Sequence, residues 1–176
     1  MSANSKHASG GASPLLRRWP LEASVFGLLV AATLALAAGP VSAIRLPMVA
    51  SVEARLFLNY SGTLSKPITA KTILWNAIIG EGNIPEPSNS TFVDVLVEGE
   101  PGSFTPDLRV ELAVSDSSNG KVLQTQVNDV GTFNASGKYH VGFWIPKSGC
   151  QPLRMRSRIV GSKTFKTINV PFSCGE

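Results

Sequence analysis

Residues 108–127 read LRVELAVSDSSNGKVLQTQV, and the first half of this stretch decides the fold class. Leu108, Val110, Leu112 and Val114 alternate with Arg109, Glu111 and Ala113. Successive side chains of a strand point to opposite sides, so this alternation builds one apolar face and one mostly polar face. Asp116, Asn119 and Gly120 then supply residue types that tolerate the positive φ of a tight turn. Lys121 to Val127 returns as the partner of a hairpin.

The same period of two recurs on either side. Val52, Ala54, Leu56, Leu58 and Tyr60 alternate with Glu53, Arg55, Phe57 and Asn59. Thr91 to Glu98 sets Val93, Val95 and Val97 on one face. From Gly137 onward, Tyr139, Val141, Phe143 and Ile145 share one face, and Lys138, His140, Gly142 and Trp144 share the other. Ile68 to Ile79 fits both a strand and a short helix; Thr69, Thr72 and Ile73 favour the strand, which is the reading taken. Gly80 to Ser90, with two Gly and two Pro, reads as a loop. Short strands, frequent turn residues and no long amphipathic helix predict an all-β fold. The expected architecture is an antiparallel β-sandwich, immunoglobulin-like in the broad sense. The cysteine pattern of a true immunoglobulin domain is missing, because the two cysteines flank one hairpin and Phe172 stands two residues before the second.

That hairpin is the last one in the chain. Leu153, Met155 and Ile159 alternate with Arg154, Arg156 and Arg158, and Gly161-Ser162 suits a two-residue type II′ turn. Pairing Val160 with Lys163 sets Met155 opposite Ile168, Leu153 opposite Val170, Arg154 opposite Asn169 and Arg156 opposite Thr167. A slip of one residue would face arginines with Ile168 and Val170, so the face rule selects the first register. Cys150 and Cys174 flank the hairpin one residue out of that register, a mismatch for a bulge near Pro152 or Pro171 to absorb. A disulfide between them is expected in an exported chain, and without a C-x-x-C spacing it reads as structural.

Export is read from residues 1–43. Arg17 and Arg18 precede an uncharged run from Ala23 to Ala38, followed by Gly39, Pro40 and Val41-Ser42-Ala43. A basic start, an apolar core and small residues before the cut make a signal peptide cleaved after Ala43. The core of 16 residues is shorter than the roughly 20 that span a bilayer, so cleavage is favoured over the alternative, an uncleaved membrane anchor. Residues 44–176 then form a single sandwich domain, located outside the cytoplasm, either secreted or periplasmic. That portion carries 13 Lys plus Arg against 11 Asp plus Glu, far from the basic footprint of a nucleic-acid binder, and none is expected as a partner.

The arginines are the best lead to function. Arg154, Arg156 and Arg158 project from one face over about 13 Å, a row that suits phosphate, sulfate or carboxylate groups repeating along a ligand. Lys163 and Lys166 are candidates to extend it. The same row also reads as a solvated outer face whose charges discourage edge pairing. Other chemistry is thin. His140 is the sole histidine after Ala43, too few for a His-rich zinc site, and Asp116 to Gly120 lacks calcium-loop spacing. Glu81, Glu98 and Glu100 sit near glycines in turns, and Asn59, Asn89 and Asn134 begin glycosylation sequons. No catalytic residue, metal or cofactor is expected. The leading reading is a non-enzymatic binding or interaction module whose partner is an anionic polymer, a lipid surface or a protein; membrane contact is expected only if the leader is retained. The alternatives are a hydrolase or carbohydrate-active enzyme whose site assembles only in three dimensions, and a structural subunit of an envelope assembly.

Intact-mass measurement of protein recovered from the export compartment should show a chain beginning at Ile44. Full-length chain in the membrane fraction would establish the anchor instead.

Overall fold

The hairpin at residues 108–127 forms as expected in a computed structural model, which describes residues 45–175. The leader and its cleavage point lie outside the described residues. Among the described residues there are eight strands: β1 (Met48–Leu58), β2 (Thr63–Leu64), β3 (Ser90–Glu98), β4 (Arg109–Asp116), β5 (Val122–Asp129), β6 (Lys138–Pro146), β7 (Leu153–Ile159) and β8 (Lys166–Val170). They make two four-stranded antiparallel sheets, one ordered β2-β1-β3-β6 and the other β5-β4-β7-β8.

The alternation decides which side of each strand is covered. Val93, Val95 and Val97 of β3, flanked by Ala54 and Leu56 of β1 and Val141 and Phe143 of β6, form the inner face of the first sheet. Val110, Leu112 and Val114 of β4, with Leu153 and Met155 of β7, form that of the second. Each such side chain contributes about 1.5–3 kcal/mol when withdrawn from water, so the shared core outweighs any single bridge or hydrogen bond. β1 begins earlier than the alternation suggests. A bulge between Val49 and Ser51 shifts the phase, so Val49 is buried along with Ala54, Leu56 and Leu58. Tyr60 lies past the strand end and is exposed.

The β3–β6 ladder runs one step beyond both strands, with Gly99 N donating to the Gly137 carbonyl at 2.9 Å. Phe133, buried, lies over this step. A Cβ at Gly99 would come within 2.6 Å of its ring, and one at Gly137 (φ 73°) within 2.5 Å of the Gly99 carbonyl oxygen.

β5 inverts the usual polarity. Gln124, Gln126 and Asn128 pair with Val114, Leu112 and Val110, so they share the inward side, while Leu123 and Val127 are exposed. β5 is an edge strand and meets the rim of β6 rather than the core. There Gln126 Nε2 donates to the Trp144 carbonyl at 2.7 Å and Asn128 Nδ2 to the Gly142 carbonyl at 2.8 Å. These amides tie the two sheets along one side and cover part of a strand edge.

Residues 68–79, read as a strand, form none. Ile68, Leu74 and Ala77 are buried at irregular spacing, and a short 3-10 turn spans Ala77–Ile79. Its backbone groups bond to distant partners: Ile68 N to the Ala54 carbonyl, and Asn76 N to Ser173, which in turn donates to Leu74. Trp75 and Ser173 form an isolated parallel bridge.

The β7–β8 register is the one the face rule selected: Leu153 with Val170, Met155 with Ile168, Arg154 with Asn169 and Arg156 with Thr167. The type II′ turn is not formed. Pairing stops at Ser157 and Lys166, Ser162 N donates to the Ile159 carbonyl, and Gly161 takes φ 86° at the third turn position, as type II requires. Val160 N is held by the Arg109 carbonyl, which keeps the end of β7 on β4 and widens the connection.

Cys150 and Cys174 are bonded, with Cα atoms 4.9 Å apart. Phe172 N folds back to the Val170 carbonyl across Pro171, so the chain leaves β7 before Cys174 and the one-residue mismatch disappears. The bond fits an oxidising extracytoplasmic location. No helix among the described residues is long and apolar enough to cross a membrane.

In the β4–β5 turn, Asp116 Oδ1 accepts from the Ser118 hydroxyl and backbone N–H, and Oδ2 from Asn119. The Ser118 hydroxyl, then its N–H, hold the Asp116 carboxyl below its ordinary 3.8. A depressed carboxylate contributes stability above its unfolded value and loses it as pH falls through the folded one. Thermal melts of Asp116→Asn against pH should therefore show a shallower fall than the parent below pH 3.8. Replacing Cys150 and Cys174 with serine should leave the sandwich folded but less stable by about 2–4 kcal/mol in denaturant titration.

Candidate functional site

β7 directs the arginines outward because its alternate residues are committed inward. Leu153, Met155 and Ser157 are buried, which leaves Arg154, Arg156 and Arg158 on the outer face of the second sheet. Their cross-strand neighbours are Ser115, Ala113 and Glu111 on β4, and Asn169 and Thr167 on β8 for the first two.

The row is not uniform. Arg158 Nε donates to Glu111 Oε1 at 2.9 Å and Nη2 to Oε2 at 3.2 Å, a two-point fork that neutralises this end. Phe165 comes over from the widened β7–β8 connection. The Arg156 guanidinium carbon lies 3.9 Å from its ring centroid and that of Arg158 4.9 Å. The ring face attracts both cations and restricts their rotamers. Arg154 and Arg156 are exposed and, among the described residues, in no ion pair. Successive outward residues of a strand are about 7 Å apart, so the two guanidinium forks suit two adjacent anionic groups.

The lysines do not prolong this row in line. Lys166 pairs directly with buried Ser157 and so points to the opposite side, into a hollow lined by Leu46, Met48 and Phe165. Lys163 is exposed in the connection itself.

Glu111 and Phe165 were missed in the sequence. Glu111 was within reach, since it lies on the polar side of β4, but the strand order that places β7 beside it was not. Phe165 depended on the exact shape of the turn.

Other groups occupy separate places. Glu81 accepts from the Asn76 amide, while Glu98 stands opposite Lys138. His140 Nδ1 meets both carboxylate oxygens of Asp94, at 2.8 and 3.0 Å, on the outer face of the first sheet. A groove of about 650 Å³ opens beside the β1–β2 hairpin, with Leu64, Ile68 and Ile84 in its walls and Lys66 and Lys71 among its lining; among the described residues no carboxylate or imidazole lines it. Among the described residues no three His, Cys, Asp or Glu are placed to hold a metal ion. No protein-family model matches the chain, and no curated protein matches it.

Proposed function

We propose that the protein is a non-enzymatic binding module, exported by a cleaved signal peptide and immunoglobulin-like in the broad sense. Its outer β7 face takes anionic groups carried by a polymer, a lipid surface or another protein. One observation carries this reading: Arg154 and Arg156 stand exposed side by side, and Phe165 holds Arg156 in place. Arginine supplies two parallel N–H donors to a phosphate, sulfate or carboxylate, and a guanidinium already stacked loses less freedom on binding. Glu111 limits the charge at the far end, so the site is two cations wide rather than three. Passage of the chain from the first sheet to the second and back supports the immunoglobulin-like description. Among the described residues the 650 Å³ groove is lined by lysines and apolar side chains rather than by carboxylates.

Heparin chromatography and co-sedimentation with anionic vesicles test the proposal. Arg154→Gln with Arg156→Gln should abolish retention at about 0.15 M salt, where attraction is confined to about 8 Å and local spacing dominates. Lys66→Gln with Lys121→Gln removes equal charge elsewhere and should retain most of it. Melting temperatures should stay near the parent's, since exposed charges contribute little to folding. Equal losses from both pairs, or no retention of the parent, would overturn the proposal.

A further inference from the structure

The outer face of the first sheet has a different chemistry. The register of β1, β3 and β6 sets Arg55, Phe92 and Trp144 side by side, and in the next row Glu53, Asp94 and Gly142. Trp144 is 42% exposed, and its ring meets Phe57 at 5.0 Å between centroids with the planes 67° apart. Gly142 leaves room beside it. The tip of the Phe92 ring fills that space, so close that a Cβ at 142 would lie 2.8 Å from it. On either side of these two positions the β6 backbone pairs with β3, while their own carbonyls receive the Asn128 and Gln126 amides from the opposite edge. The indole is thus propped by Phe57 on a strand fixed along both edges.

Planar polar groups share this face with the indole, and they are already paired with one another. Arg55 Nη2 lies 3.3 Å from Glu53 Oε2, and His140 lies 2.8 Å from Asp94. The pairs present no row of unopposed cations to a polyanion, yet each group keeps donors or acceptors that its partner does not use. Carboxylate and guanidinium present two polar atoms at the spacing of neighbouring hydroxyls, while an exposed aromatic ring offers a flat apolar surface at low entropic cost. A ligand that complements both is a ring with an apolar C–H face and a rim of hydroxyls.

We propose that this face, centred on Trp144 with Asp94 and Arg55, binds a neutral saccharide. The sugar ring stacks on the indole while adjacent hydroxyls bond to Asp94 and to the Arg55–Glu53 pair. The site lies on the opposite sheet from Arg154 and Arg156, and it stands whether or not those arginines bind anions.

Native electrophoresis through gels containing hydroxyethyl cellulose, glucomannan, mixed-linkage β-glucan or glycogen provides the test. The parent should be retarded by at least one of these polymers. Trp144→Ala should lose the retardation, Trp144→Tyr should keep part of it, and Asp94→Asn should bind about tenfold more weakly, the effect of one lost charged hydrogen bond. Trp75→Ala, which removes an exposed tryptophan from the irregular segment, should migrate like the parent, as should the Arg154→Gln, Arg156→Gln variant. Thermal melts confirm that each variant is folded. A parent retarded by none of the four polymers, or a folded Trp144→Ala retarded as strongly as the parent, would overturn the proposal. Retention on heparin together with free migration in all four gels would overturn it too, while leaving the arginine site standing.

Discussion

Everything in residues 45–175 is arranged around the contact between two apolar sheet faces, Val93, Val95 and Val97 at the centre of one and Val110, Leu112, Val114 and Met155 in the other. Because side chains alternate, each residue committed to that contact commits its neighbours to the outside. The inward demand of Leu153, Met155 and Ser157 is what aligns three arginines, and that of Val141, Phe143 and Ile145 is what turns His140 and Trp144 to solvent. Functional surface here is the complement of the core.

The two outer faces diverge although the inner faces are alike. On the second sheet a carboxylate fork and a stacked ring leave two free cations. On the first, paired polar side chains share the surface with an exposed aromatic group. Between these faces the amides of Gln126 and Asn128 close one side of the sandwich, so β5 acts less as a core strand than as a seam.

What could be read in advance follows from the range of the forces involved. The 108–127 hairpin and the β7–β8 register depend on local alternation and on the penalty for facing arginine with an aliphatic residue, and both are visible in sequence. Segment 68–79 obeys no local period because its order comes from Ala54 and Ser173, one of them about a hundred residues away, through backbone bonds that no side-chain pattern records. The sequence marks β5 as a hairpin partner, but its amide side acquires meaning only from β6 lying beside it. Likewise the arginines could be placed on one face, whereas Glu111 became a partner only with the order β4-β7, and Phe165 only with the turn that replaced the tight one. Ser157 stands apart from this pattern: its hydroxyl is buried with no hydrogen-bond partner among the described residues.

The step at Gly99, Gly137 and Phe133 has a bearing on how the sequence can drift. Three positions that are far apart along the chain share one small volume: the ring needs the first glycine bare, and the first glycine's carbonyl needs the second bare. A methyl group at Gly99 requires a smaller residue at 133, and one at Gly137 requires a displaced Gly99 carbonyl, so no single substitution walks freely through this corner. A change tolerated at this corner has to be a concerted one, in which the ring at 133 and the glycine beneath it alter together.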